Sequence, residues 1–147
     1  MGTVTVDTVI EATPDEVWAS LCKINRYPRW DTFADEILSA SHSRLKFGST
    51  YQERSGMEQS TWRVTLFNPP RHQAHVGKVG FMGEVTREFS VEPEGEAARL
   101  RQTVDFTVMP GITRPFGWLA ERLFVNRMVR KRMEASGAGL QALHAAE

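Results

Sequence analysis

One cysteine, Cys22, is all that this 147-residue chain contains. That excludes an intramolecular disulfide and says little about redox compartment. Net charge is also lacking, since 18 basic side chains balance 18 acidic ones. A neutral chain exerts little long-range pull on nucleic acid or an anionic membrane, so no nucleic-acid partner is expected. No apolar run approaches the roughly 18 residues that span a bilayer, so no integral membrane association is expected either. The first residues lack the basic start and apolar stretch of a signal peptide, and the expected location is cytoplasmic. A phosphate-binding glycine loop, a Rossmann fingerprint and a Ser-His-Asp spacing are all missing, and no cofactor is expected. His72 and His75 are three apart on a strand-like stretch, which turns them to opposite faces, so no metal site is expected. His42 and His144 look like surface residues, and Cys22 like a small core residue.

What is present is a clear order of patterns. Residues 3–11 are rich in Thr, Val and Ile and roughly alternate, as a strand does. Thr13-Pro14-Asp15-Glu16 then carries a cap, a first-turn proline and the acidic residue of a capping box. Val17, Trp18, Leu21 and Cys22 follow at helical spacing. A second short helix is predicted over Ile24 to Arg29, with Trp30 plugging the corner after it. Six β-prone stretches come next, at 36–42, 48–55, 60–68, 72–79, 84–93 and 97–109, separated by Gly and Pro punctuation such as Asn68-Pro69-Pro70 and Pro93-Glu94-Gly95. From about 113 to 145 the pattern is one helix. Leu119, Leu123, Val129, Met133, Leu140 and Leu143 form its apolar stripe, close to a seven-residue repeat, and Arg127, Lys131 and Glu134 lie opposite. Gly137 and Gly139 cost this helix roughly 1 kcal/mol each against alanine, so they mark either a close backbone approach or a bend.

Without repeats or linkers, residues 1–147 are expected to form one domain. Seven antiparallel strands need one face covered, and the long helix is the only element large enough to cover it. A strongly curved sheet around a helix leaves a concavity that side chains do not fill. Such a hollow, apolar with a few polar groups, is the usual form of a small-molecule site. The fold expected is therefore α+β: a seven-stranded curved antiparallel sheet around a long C-terminal helix, with two short helices after the first strand.

The segment Ile10-Glu11-Ala12-Thr13-Pro14-Asp15-Glu16-Val17-Trp18, followed by Tyr27-Pro28-Arg29-Trp30, resembles the START-like superfamily with the Bet v 1 helix-grip fold. Its polyketide cyclase/dehydrase and lipid-transport branch is the most similar one. Phe67-Asn68-Pro69-Pro70-Arg71 is similar to that branch's turn, and Gly139-Leu140-Gln141-Ala142-Leu143 to the end of its C-terminal helix. The resemblance covers essentially the whole chain. Its motifs are caps, core and turns, not catalytic groups, and domains of this kind include carriers, cyclases, receptors and co-chaperones, so fold alone selects no function.

From the resemblance and from strand alternation, Trp62, Val64 and Leu66 are expected to face the helix, as are Val85, Arg87, Phe89 and Val91, and Leu100, Gln102, Val104 and Phe106. Tyr51 and Glu53 share the inward face of their strand, Gln73 and His75 take positions that are usually apolar, and Asn126 sits within the helix stripe. The expected ligand-binding set is Tyr51, Glu53, Trp62, Gln73, Phe89, Gln102, Val104, Leu119, Leu123 and Asn126. Buried polar groups need partners. Either they orient a ligand, with His75 as general acid/base and Arg87 stabilising an enolate or carboxylate, or Arg87 pairs with Glu53 and the rest are satisfied locally.

Three functions are weighed. The first is a carrier or sensor of a hydrophobic or aromatic small molecule. The second is a cofactor-independent cyclase/dehydratase using His75 and Arg87 in the same cavity. The third is a protein-interaction domain of the co-chaperone or toxin kind, with a closed cavity and a large exposed apolar patch. A wholly apolar lining, or an Arg87–Glu53 pair closed on itself, favours the carrier, whereas an unpaired His75 within hydrogen-bond reach of a bound ligand favours the enzyme. The basic run 127–133 is expected to be a solvated face rather than a docking site. Phe81-Met82-Gly83 and Pro115-Phe116-Gly117-Trp118 are expected at the cavity mouth, as lips or as a seal. Homodimerisation is left open.

Overall fold

The computed structural model describes residues 2–80, 83–106 and 115–146, with side chains from 123 onward in the last segment. Phe81, Met82 and the side chains of 115–122, including Leu119, lie outside the described residues. The elements are β1 (Gly2–Ile10), α1 (Pro14–Cys22), a 3-10 helix (Ile24–Arg29), β2 (Glu36–Ala40), β3 (Thr50–Ser55), β4 (Glu58–Asn68), β5 (His72–Val79), β6 (Gly83–Glu94), β7 (Ala97–Phe106) and α2 (Pro115–Ala145). The strands form one antiparallel sheet in the order β1-β7-β6-β5-β4-β3-β2. β1 therefore pairs with the last strand, and the meander runs out to β2 at the far edge.

α1 begins where its cap dictates. Thr13 Oγ1 accepts from the Glu16 backbone N–H at 3.2 Å and donates to Glu16 Oε1 at 2.9 Å, so the glutamate satisfies the cap hydroxyl rather than the cap N–H. The second helix is of the tighter 3-10 type and contains Pro28. Trp30 fills the corner after it, its ring 4.8 Å from that of Tyr27 and 6.3 Å from that of Phe89.

Two expectations about faces are corrected. Leu66 does not continue the row of Trp62 and Val64. A register shift between Val64 and Leu66 turns Phe67 inward instead, opposite the buried Gln73 and 5.3 Å from the Trp18 ring. On α2 the buried line is Val125, Val129, Met133, Ser136 and Leu140, four or three residues apart. Leu123 is two residues out of phase with Val125, and it is 57 % exposed on the outer face beside Phe124.

The glycines of α2 serve close approach. A Cβ on Gly137 would meet the Thr8 side chain, and one on Gly139 would lie 2.5 Å from the Trp30 carbonyl oxygen. The helix backbone thus rests directly on β1 and on the corner after the 3-10 helix.

Candidate ligand-binding site

The hollow between sheet and helix divides in two. Towards α1 the interior is occupied by side chains, and an open groove of about 640 Å³, lined by Trp18, Cys22, Leu45 and Phe67 among others, borders it. Tyr27, Trp30, Tyr51, Gln73, His75 and Phe89 are all buried in that interior. His75 is fully enclosed: its Nδ1 lies 2.6 Å from the Tyr51 hydroxyl and its Nε2 lies 2.8 Å from Gln73 Oε1. The glutamine oxygen can only accept, so Nε2 carries the proton and Nδ1 accepts from the tyrosine. Burial, then the Arg87 charge, push the His75 imidazole down to about 3. It is a neutral structural link at ordinary pH. Gln73 continues the chain weakly towards Cys22 Sγ at 4.0 Å, and burial raises that thiol.

A second polar cluster centres on Arg87 of β6. Its guanidinium makes a forked pair with Asp31, Nη1 to Oδ2 at 2.6 Å and Nη2 to Oδ1 at 2.9 Å. Asp31 Oδ1 also accepts from the Ser136 hydroxyl at 3.1 Å and from the Phe33 N–H at 3.2 Å. Gln102 bridges from Arg87 at 3.5 Å to the Met133 carbonyl oxygen at 2.9 Å. The guanidinium lies between the rings of Phe33 and Phe89, 4.8 and 4.7 Å from their centroids. Burial works against the Arg87 charge, but Asp31 outweighs it and the guanidinium stays ionised. The expected alternative partner, Glu53, is not the one used; the acid comes from the loop after the 3-10 helix.

The other half of the hollow is open space of about 260 Å³. Among the described residues it is lined by Glu53 of β3, Ser60 and Trp62 of β4, Arg87 of β6, Val104 of β7, Phe33 from the loop after the 3-10 helix, and Met128, Val129 and Arg132 of α2. Ser55, Glu58 and Val79 line it as well. Trp62 fits because its partner across the sheet is Gly77, where a Cβ would press 2.6 Å from the indole. Glu53 faces Ser60 across the β3–β4 pairing and is 5 % exposed. Burial, then the Asp31 charge, raise its carboxyl to about 8, with Arg87 and the Trp62 indole N–H opposing. That indole nitrogen is buried and has no partner other than this carboxyl. Glu53 is thus a neutral carboxylic acid at pH 7, set in a wall of mainly apolar surface.

Of the residues predicted from sequence, Glu53, Trp62, Arg87 and Val104 line this cavity. Tyr51, Gln73, His75, Phe89 and Gln102 lie buried behind it in the two networks and the aromatic plug. Asn126 packs by Gly2, its Oδ1 buried without a partner, and Leu123 faces outward. His72 is turned from His75 and meets Glu88 at 3.3 Å. Among the described residues no group of side chains could hold a metal ion, and no helix is long and apolar enough to cross a membrane. Asp31 and Phe33 were missed because they sit in a loop without periodicity. A buried arginine requires a buried acid, and Asp31, next to the corner-plugging Trp30, was the available signal.

No curated protein matches the chain. Solved structures do. MLL2253 from Mesorhizobium loti is 12 % identical, with 99 % of this chain and 98 % of that one covered and a TM-score of 0.74. A START superfamily protein from Mycobacterium smegmatis is 12 % identical, covering 95 % and 94 %, at a TM-score of 0.69. CalU16 from Micromonospora echinospora is 16 % identical, covering 98 % and 79 %, at 0.65. Such identities show the fold alone, the helix grip of START-like and Bet v 1-like domains. The family model described as polyketide cyclase/dehydrase and lipid transport matches residues 1–145, and this chain, whose sheet and helix enclose the hollow just described, belongs to that family.

Proposed function

We propose that this protein binds an apolar, ring-sized small molecule in the cavity between β3–β4 and α2, as a carrier or sensor. The observation that carries this reading is the division of the hollow: the vacant half presents a mainly apolar surface, although six of its twelve described lining residues are polar or charged, while His75 is sealed in the filled half with both nitrogens bonded. Proton transfer at a ligand needs a group within hydrogen-bond reach of it. His75 is not on the cavity wall, and Arg87 is closed on Asp31. Both features favour binding over cyclase chemistry through this pair. A volume of about 260 Å³ is at the small end for ligand pockets, which suits a bicyclic aromatic better than a long lipid chain. The family's name covers both cyclases and lipid transport, and the geometry favours the non-catalytic side of that range.

Equilibrium dialysis against 2-ethylnaphthalene tests the reading. Wild type should bind one equivalent. Ser60→Leu and Val104→Phe, which each add side-chain volume to the void, should weaken binding at least tenfold while keeping cooperative thermal unfolding. Affinity unchanged in both folded variants would contradict the assignment of this cavity.

A further inference from the structure

Glu53 stands apart among the buried charged residues. Asp31 and Arg87 are spent on one another, on Ser136 and on Gln102. Among the described residues, the Trp62 indole N–H is the one side-chain donor beside the Glu53 carboxyl, and no group accepts from its O–H, although it is 5 % exposed and forms part of the cavity wall. A buried donor without an acceptor is costly, and this one lies where a ligand would lie. Resting on the reading of the cavity as an apolar-ligand site, we propose that its occupant carries a hydrogen-bond-accepting oxygen, such as a ketone or ester carbonyl, on its apolar skeleton, and that the Glu53 carboxyl donates to it.

The surroundings select this class over charged ones. A ligand cation would share the cavity with the guanidinium of Arg132, which lies over the Phe33 ring. A ligand anion would meet Glu58 as well as Glu53 on the wall, with only Arg132 to offset them, since Arg87 is already neutralised by Asp31. A neutral acceptor meets neither penalty. It also uses the one thing the carboxyl offers in its protonated form, an O–H. The groups that set this protonation are Asp31 and Asp35 from the loop before β2, Arg87 from β6 and Trp62 from β4, with Glu58 from β4 and Arg132 from α2 also on the cavity wall. Burial is the largest influence, and together they hold the proton up to about pH 8. Above that the group becomes an anion that repels an acceptor.

The test compares 2-acetylnaphthalene with 2-ethylnaphthalene, which match in size and differ in the carbonyl oxygen; neither titrates between pH 6 and 10. Equilibrium dialysis at pH 6 should show the acetyl compound bound about tenfold more tightly. At pH 9.5 wild type should lose that preference, while the ethyl compound keeps its affinity. Glu53→Gln, whose amide donates at any pH, should keep the preference at both. Equal affinities at pH 6, or a wild-type preference that persists at pH 9.5, would overturn the proposal and leave the cavity assignment standing. Failure of both compounds to bind at pH 6 would overturn the two together.

Discussion

Replacing Glu53 by glutamine should stabilise this protein, and more so as the pH rises. In the folded chain the carboxyl holds its proton to about pH 8, against an ordinary value of 4.5. Between those values the native state binds a proton that the unfolded chain has released. Its contribution is therefore fully present below 4.5 and is lost as pH rises through 8, with a slope of up to about 1.4 kcal/mol per pH unit. Urea unfolding of Glu53→Gln and wild type should give similar midpoints at pH 5 and a clear advantage for the variant at pH 8. A gap that does not widen with pH would contradict the buried neutral acid. His75 pulls the other way: burial lowers it, so its contribution is present above its ordinary value of 6.5 and is lost as pH falls towards 3. The resemblance and strand alternation together predict that Glu53, His75 and Arg87 point inward, and all three are buried. Which of them pair is not a matter of parity. Tyr51 reaches His75 and Asp31 reaches Arg87 across 24 and 56 residues of chain, and a single sequence carries no record of such contacts.

Gly139 of α2 marks the point where helix backbone lies against the corner after the 3-10 helix. In an exposed helix interior, glycine to alanine gains about 1 kcal/mol. Here the new methyl would lie 2.5 Å from the Trp30 carbonyl oxygen, and overpacking of this kind costs about 1–3 kcal/mol. Gly139→Ala should thus lower the thermal midpoint, and a raised midpoint would mean the approach is looser than described. The same helix shows where periodicity misleads. The stripe expected through Leu119, Leu123, Val129, Met133, Leu140 and Leu143 is right at Val129, Met133 and Leu140, but Val125 buries in place of Leu123. A leucine is no more apolar than a valine when the rows are drawn, and only the docking of the helix on β1 decides the phase. The β4 strand failed in the same way beyond Val64, because a shift of one residue reverses the faces that follow it.

The order strand, two short helices, six strands and long helix was enough to imply a curved sheet gripping a helix, since few other arrangements bury both faces. It also implied a hollow. What it could not show was which part of the hollow stays empty. That is decided by Tyr27, Trp30, Tyr51 and Phe89, whose rings come from separate segments and crowd the end under α1. The vacant end is left to smaller groups, Ser60, Val104 and Val129, around one tryptophan and one uncharged acid. The most direct test of this division is a methyl NMR spectrum recorded during titration with 2-acetylnaphthalene. The signals of Val79, Val104, Met128 and Val129 should shift together and saturate, while those of Val17 and Leu21 under α1 stay in place. Shifts confined to the α1 end, or to the exposed Leu123, would contradict a binding cavity between β3–β4 and α2.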